Sequence, residues 1–212
     1  MFLTNRTLNY MKLIRDYPII SDQMNKKRLT IILRQLEAAL AVDIEGDIVE
    51  FGCFSGTTSL FIRRLLDLKL SNRQFHVYDS FKGLPDKTIK DASVAGSNFK
   101  AGELKTSKKE LINNFKRASL KPPIIHKGWF NEVKAKELPN NIVFAFLDGD
   151  FYQSIMDSLN LVWPRLVKGG GLVIDDYERS DLPGVSRAIE DFFASKLISI
   201  KHEQNLALIK KE

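Results

Sequence analysis

Two groups of aspartates follow two short apolar segments of the chain. The segment NIVFAFL (141–147) is followed by Asp148 and Asp150, and the segment GLVI (171–174) by Asp175 and Asp176. If both segments are parallel strands, their carboxyl ends lie side by side, where open α/β sheets bind ligands. Carboxylates at such close range repel one another unless they share a cation or a proton. The pattern therefore predicts a metal-assisted active site.

A glycine-rich turn and a third acidic position predict a nucleoside site at the same edge. Glu50-x-Gly52-x-x-x-Gly56 falls between the first predicted strand and helix, where glycines let a ligand approach a helix N-terminus. Asp79 follows the second strand, where a carboxylate can accept both hydroxyls of a ribose. A helix or turn cap explains Asp79 alone equally well. The chain contains neither G-x-G-x-x-G nor G-x-x-x-x-G-K-[ST].

Strand and helix patterns alternate along the chain, which predicts an α/β protein. Five strands are expected at 47–51, 75–78, 122–126, 142–147 and 172–174, with helices between most of them and a closing hairpin around 203–205. This order predicts a Rossmann-like, doubly wound and mostly parallel sheet with a C-terminal antiparallel hairpin. Asp150 is expected to cap the helix that follows it, and Pro164 to lie inside the last turn of that helix.

The first 45 residues precede the first strong strand and read as helical. Ile31, Ile32, Leu36, Ala39 and Leu40 keep a 3.6-residue apolar stripe. We therefore expect an N-terminal helical appendage or lid over residues 1–45 and the main domain over residues 46–212.

Composition limits the class of protein. Cys53 is the only cysteine and no apolar stretch could span a bilayer, so we expect a cytoplasmic protein with no membrane span. The net charge of +6 comes from residues 100–136, which carry ten Lys or Arg against three Glu. A basic segment of this kind suits an anionic acceptor, although a solvated helix surface explains it more simply. Aromatic residues do not interleave regularly with these cationic residues, which argues against nucleic acid as a partner.

Five ordered motifs resemble the TylF/MycF family of macrocin-type sugar O-methyltransferases, which are class I S-adenosylmethionine-dependent enzymes. They are E-x-G at 50–52, V-Y-D-S-F-K-G-L-P at 77–85, G-W-F at 128–130, L-D-G-D-F-Y at 147–152 and P-R-L-x-x-G-G-G-x-x-I-D-D-Y at 164–177. The resemblance covers roughly residues 47–193.

The resemblance implies a class I methyltransferase fold and assigns site residues. Asp148, Asp175 and Asp176 match the family's ligands for Mg2+ or another divalent cation, and Asp148 is also the candidate general base. The residues implied for S-adenosylmethionine are Glu50, Gly52, Ser55, Gly56, Thr58, Asp79, Ser80, Phe81, Gly128 and Trp129. A hard cation prefers carboxylate oxygens and lowers the pKa of a bound hydroxyl, which suits methylation of a sugar.

The acceptor stays open at this point. The family commonly has an Arg-Gly pair where this chain has Ser55 and Thr57, and a Glu where Gln153 stands. The acceptor could be a nucleotide sugar, a glycan or a natural product, and the protein could be a homodimer. A catechol-type O-methyltransferase is the nearest alternative, and a non-catalytic nucleoside-binding partner subunit is the second.

Overall fold

The structure is a computed structural model that describes residues 9–41, 44–94 and 99–212. Within these ranges the chain forms six α-helices and seven strands. The helices are α1 (Asn9–Asp16), α2 (Lys26–Leu40), α3 (Thr57–Leu68), α4 (Lys108–Arg117), α5 (Tyr152–Val162) and α6 (Pro183–Phe193). The strands are β1 (Asp47–Phe51), β2 (Phe75–Asp79), β3 (Ile124–Lys127), β4 (Ile142–Leu147), β5 (Leu166–Ile174), β6 (Ile200–Glu203) and β7 (Leu206–Lys210).

The strands form one sheet in the order β3-β2-β1-β4-β5-β7-β6. Neighbours from β3 to β5 are parallel, whereas β7 is antiparallel to both β5 and β6. Gln204 and Asn205 join β6 to β7 with φ angles of 52° and 61°, which suits the type I′ turn of a tight hairpin. The topology confirms the predicted doubly wound, mostly parallel sheet with a closing antiparallel hairpin.

Helices cover both faces of this sheet. On β4, Phe144 and Phe146 belong to the core shared with α2 and α3, and Ala145 and Leu147 to the core shared with α5 and α6. All four side chains are fully buried. Because both faces are covered, the carboxyl edge of the parallel strands is where a ligand can reach the sheet.

The N-terminal helices pack against the first of these cores. Leu29, Ile32 and Leu36 of α2 are fully buried there, and the Arg64 guanidinium of α3 lies 4.0 Å from the Tyr17 ring centre. The division into segments 1–45 and 46–212 stays a prediction, and residues 1–8 lie outside the described ranges. No helix in the described part of the chain is both long and apolar enough to cross a membrane.

Several boundaries differ from the sequence prediction: strand β3, predicted at 122–126, is Ile124–Lys127, because neither of the two prolines before it can donate to the sheet. Helix α5 ends at Val162, so Pro164 lies beyond the helix and the prediction that it falls inside the last turn was wrong. Proline lacks an N–H and cannot continue the helical ladder, and the Arg165 N–H instead closes a turn onto the Val162 carbonyl (3.0 Å). Strand β5 begins at Leu166 rather than Leu172 because the glycine-rich segment pairs irregularly with β4.

Candidate active site

The carboxyl ends of β1, β4 and β5 lie side by side, as predicted. The hydrogen-bond ladder continues one residue past the strands: the Asp148 N–H donates to the Phe51 carbonyl and the Asp175 N–H to the Leu147 carbonyl, both at 2.8 Å. These backbone bonds fix the two aspartates at neighbouring positions on one edge.

A cavity of about 680 Å³ opens at this edge. This volume is in the usual range for small-molecule sites. Its lining includes Gly52, Asp79, Ser80 and Trp129 from the predicted nucleoside site and Asp148, Asp175 and Asp176 from the predicted metal site. One cavity therefore holds residues of both predicted sites.

Three carboxylates form a cluster in this cavity. One oxygen from each of Asp148, Asp150 and Asp176 lies within 4.8 Å of the others. Burial, followed by the charges of neighbouring aspartates, raises the pKa of Asp148 and of Asp150 well above the ordinary carboxyl value. A bound cation would relieve the repulsion that opposes their ionisation.

Asp175, which was predicted as a metal ligand, forms a salt bridge with Arg28 of α2. The Arg28 guanidinium also lies 3.4 Å from Asp176 Oδ1, which accepts from Arg179 at 2.9 Å. Burial and the charge of Asp176 raise the pKa of Asp175 to about 6, and the Arg28 charge opposes that shift. The ligand set Asp148, Asp175 and Asp176 stays a prediction.

The chemistry of this donor set fits a hard divalent cation. The four aspartates at the ends of β4 and β5 carry four negative charges when ionised, and Arg28 and Arg179 supply two positive ones. Arg179 is also shared with Asp181, to which it donates at 2.9 Å and 2.5 Å. At least two negative charges are left uncompensated, and carboxylate oxygens are preferred ligands of Mg2+.

Asp150 does not cap helix α5, so that prediction was wrong. The N-cap residue is Phe151, and the Tyr152 N–H donates to Asp91 Oδ1 at 2.7 Å. Asp91 reaches the helix from a 3-10 turn 61 residues earlier in the chain. Because Asp91 takes the capping role, the Asp150 side chain is available to the acidic cluster.

We expect Asp91→Ala to lower the free energy of unfolding by about 2 kcal/mol. Asp91 is 4% exposed, and its Oδ2 accepts from both the N–H and the hydroxyl of Thr88 at 2.8 Å. The variant leaves these donors and the Tyr152 N–H without their acceptor. Urea denaturation measures the change. Asp67→Ala is the control, because the Asp67 side chain is 49% exposed in its pair with Arg63. Equal losses in the two variants would contradict the prediction.

Gly52 and Gly56 bracket the turn between β1 and α3, and both positions require glycine. Their φ angles are +84° and +90°, which side chains disfavour. A Cβ on Gly52 would lie 1.9 Å from the Asp148 carbonyl oxygen, and a Cβ on Gly56 would lie 2.4 Å from Leu111 Cδ1. The absence of a side chain at Gly52 therefore lets the glycine turn contact the end of β4.

The Asp79 carboxylate holds this turn in place. Its Oδ2 accepts from the N–H groups of Cys53 (2.9 Å) and Phe54 (3.3 Å), and its Oδ1 from that of Phe81 (2.7 Å). The turn-capping interpretation of Asp79 is thus correct. Carboxylate oxygens can accept further hydrogen bonds, so the predicted ribose contact is compatible with these and stays a prediction.

The remaining predicted cofactor residues of β2 and β3 surround Asp79. Ser80 accepts from the Lys82 N–H at 3.0 Å, and Phe81 is buried with φ +55°. The Gly128 N–H donates to the Asp79 carbonyl at 3.0 Å. The Trp129 ring lies 5.7 Å from Lys82 Nζ at the cavity wall. The backbone therefore brings the β2 and β3 ends of the predicted site together.

Glu50, Ser55 and Thr58 are buried behind the glycine turn and are not among the described residues that line the cavity. Glu50 Oε2 accepts from the Ser59 hydroxyl at 2.5 Å. Glu50 Oε1 and Ser55 Oγ have no hydrogen-bond partner within the described residues. Gly56, Phe81 and Gly128 are likewise not among the described lining residues, and all the cofactor assignments stay predictions.

We expect Glu50→Gln to flatten the pH dependence of stability between about pH 4.5 and 8. Burial, partly offset by the Ser59 hydrogen bond, raises the pKa of Glu50 to about 8. Between the ordinary and the raised value only the folded state holds the proton, so stability falls as pH rises. The wild type should lose roughly 1.4 kcal/mol per pH unit relative to the variant. Urea denaturation at several pH values in this range gives the free energy of unfolding of both proteins. The same pH dependence in the wild type and the variant would contradict the prediction.

Three residues of the site escaped the sequence prediction: Arg28, Asp91 and Arg179. Arg28 and Asp91 act through contacts to distant parts of the chain, which the local sequence does not signal. Arg179 instead contacts Asp176 and Asp181, which lie three and two residues away from it. The cluster of four negative charges gave one indication, because aspartates this close together require cationic side chains beside them.

Comparison with known proteins finds one matching family model and several relatives of similar sequence. A model of the family described as macrocin-O-methyltransferase (TylF) matches residues 7–204. A mycinamicin III 3''-O-methyltransferase of Micromonospora griseorubida is 31% identical over 84% of this chain and 72% of its own length. A rhamnosyl-tetracenomycin-C 4'-O-methyltransferase of Streptomyces olivaceus is 32% identical over 77% of this chain and 65% of its own length.

A solved structure resembles the fold. The O-methyltransferase NovP superposes with a TM-score of 0.81 at 24% identity, over 93% of this chain and 85% of its own. This similarity supports the class I methyltransferase architecture predicted above.

Proposed function

This chain belongs to the macrocin-O-methyltransferase (TylF) family, and we propose that it methylates a sugar hydroxyl with S-adenosylmethionine and a divalent cation. The observation that carries the proposal is the shared cavity, in which a glycine turn and Asp79 stand beside the strand-end aspartates. A nucleoside cofactor and a metal-assisted acceptor can meet there.

The residues of the turn would hold the cofactor. Gly52 offers backbone without a side chain, Asp79 retains acceptor capacity for ribose hydroxyls, and the Trp129 ring supplies an aromatic surface. The family resemblance implies that Glu50, Gly52 and Gly56 form the methionine side of the cofactor site, and Glu50 Oε1 is buried with no hydrogen-bond partner within the described residues. When bound, S-adenosylmethionine supplies a methyl group on a positively charged sulfur, which needs no acid to leave.

Asp148 would accept the proton of the acceptor hydroxyl. Its side chain lines the cavity and stands next to Gly52, so a base at this position would lie beside the glycine turn. Asp148, Asp175 and Asp176 would hold the cation, with Asp150 as a further carboxylate of the same cluster. When bound, the cation lowers the pKa of a hydroxyl that contacts it. Fixing both partners at one edge supplies the alignment that methyl transfer requires.

The names of the two relatives support a sugar acceptor. One is a mycinamicin III 3''-O-methyltransferase, and the other acts on a rhamnosyl derivative of tetracenomycin C. The basic segment adds no support for an anionic acceptor, because none of its ten cationic residues is among the described residues lining the cavity. The proposal therefore specifies a sugar hydroxyl and no charge.

The test is methyl transfer from labelled S-adenosylmethionine to a panel of sugar nucleotides, glycosylated natural products and catechols, with and without EDTA. We expect activity on a sugar-bearing acceptor that EDTA abolishes and Mg2+ restores. Transfer to catechols alone would favour the catechol-type alternative. Cofactor binding by calorimetry without metal binding or turnover would favour the non-catalytic partner subunit.

A further inference from the structure

Arg28 of α2 is inserted among the acidic side chains of the cavity. Its guanidinium contacts the carboxylates of Asp175 and Asp176, and its side chain is only 13% exposed. Arg28 Nε has no hydrogen-bond partner within the described residues, so the guanidinium is held by these carboxylates and by a long contact of 3.4 Å to the Gln23 carbonyl. An arginine this buried needs its carboxylate partners.

A divalent cation in this cavity would bind the same carboxylate oxygens. Asp175 and Asp176 belong to the predicted ligand set, and Asp176 also belongs to the 4.8 Å cluster. A bound cation would meet the positive charge of Arg28 in its neighbourhood and would find an Asp175 oxygen already engaged. The cation and the Arg28 guanidinium are both positive, and two like charges that bind the same carboxylates in a partly buried site repel strongly.

We propose that Arg28 is the built-in counter-ion of this acidic site, a positioning residue that holds Asp175 and Asp176 without metal and competes with the divalent cation for them. This inference rests on the proposed function, because it concerns the cation named there. Arg28 is not assigned a step in methyl transfer.

The competition links the metal to the N-terminal segment. Arg28 lies in the first turn of α2, and Gln23 just before that helix lines the cavity together with Arg28. The Asn25 side chain caps the helix by accepting from the Arg28 N–H at 3.0 Å, so the turn carrying Arg28 is fixed to the chain entering α2. Because linkage is reciprocal, a cation that displaces the guanidinium must also weaken the anchoring of this segment.

The experiment titrates Mn2+ into the wild type, Arg28→Gln, Arg28→Lys and Arg34→Gln, and follows binding by calorimetry and stability by thermal unfolding. Arg34 is the matched control, since it stands on the same helix and pairs with Glu203 at 2.7 Å in a half-exposed position. We expect Arg28→Gln to bind Mn2+ on the order of tenfold more tightly than the wild type. Arg28→Lys, which keeps the charge, and Arg34→Gln should bind as the wild type does.

Stability provides the second measurement. Without metal, Arg28→Gln should unfold at a lower temperature than the wild type, because its buried carboxylates lose their counter-ion. Saturating Mn2+ should raise that temperature more in the variant than in the wild type. If Arg28→Gln does not fold alone, it should fold when Mn2+ is present during refolding, and failure to do so would overturn the proposal.

The outcomes separate this inference from the proposed function. Equal or weaker Mn2+ binding by Arg28→Gln, with binding intact in the wild type, overturns the counter-ion role and leaves the proposed metal site standing. Absence of Mn2+ binding in every variant overturns the metal part of the proposed function, and the counter-ion role falls with it. Tighter binding by Arg28→Gln that is matched by Arg34→Gln would show a general charge effect and would also overturn the inference.

Discussion

Asp148→Asn is expected to reduce kcat by about a thousandfold while the affinity for S-adenosylmethionine stays within about twofold of the wild type. An amide has nearly the shape of the carboxylate but cannot accept the proton of the acceptor, and it is a weaker ligand for a hard cation. The backbone contacts of this residue, from its N–H to Phe51 and from its carbonyl beside Gly52, are unchanged by the substitution. The glycine turn should therefore keep its conformation.

Steady-state kinetics and calorimetry with S-adenosylhomocysteine test both halves of this expectation. The control is Asp86→Asn, an exposed carboxylate that lines the same cavity outside the acidic cluster. Unchanged kcat in Asp148→Asn would refute the assignment of the base. A loss of cofactor affinity as large as the loss of turnover would mean that Asp148 acts on binding rather than on chemistry.

The Asp148→Asn substitution should also stabilise the fold in the absence of metal. Burial and the neighbouring aspartates raise its pKa, so its ionised form opposes folding at neutral pH. A neutral amide removes that repulsion. Lower activity together with equal or higher stability would indicate a catalytic role for Asp148. Substitution of a residue with a structural role would lower both activity and stability.

The sequence was sufficient to predict which strand ends meet. Apolar segments ending in Asp148 and Asp175 identify two parallel strands, and in such a sheet neighbouring strands present their carboxyl ends at one edge. The structure confirms the pairing of β4 with β5 that this prediction assumed. The hairpin was also predictable, because the residues of its turn are local in the sequence.

Contacts between distant parts of the chain were not predictable from the same patterns. The Asp91 contact to the Tyr152 N–H joins residues 61 positions apart, and the Arg28 contact to Asp176 joins residues 148 positions apart. A local rule assigned the cap of α5 to Asp150 because that residue precedes the helix. The tertiary structure offered a better acceptor, and Asp150 turned to the acidic cluster instead.

Gly52→Ala is expected to lower the free energy of unfolding by at least about 3 kcal/mol and to weaken S-adenosylmethionine binding by at least about tenfold. A Cβ at this position would lie 1.9 Å from the Asp148 carbonyl oxygen. The backbone fixes the position of both atoms at adjacent strand ends, so no side-chain rotation can separate them. The clash can be relieved only by separating the turn from the end of β4. That movement would pull the glycine turn away from the acidic cluster, so stability and S-adenosylmethionine binding should fall together.

Gly102→Ala separates this clash from the cost of the backbone conformation. Gly102 has nearly the same φ, +83° against +84° at Gly52, but a Cβ there would meet no described atom within 4 Å. It should therefore lose only about 1 kcal/mol, the cost of placing alanine in the left-handed region. Urea denaturation of both variants gives the difference, which belongs to the contact with Asp148. If the two variants lost equal stability, the tight contact between the glycine turn and the end of β4 would have no energetic weight, and the argument that it positions cofactor against acceptor would fail.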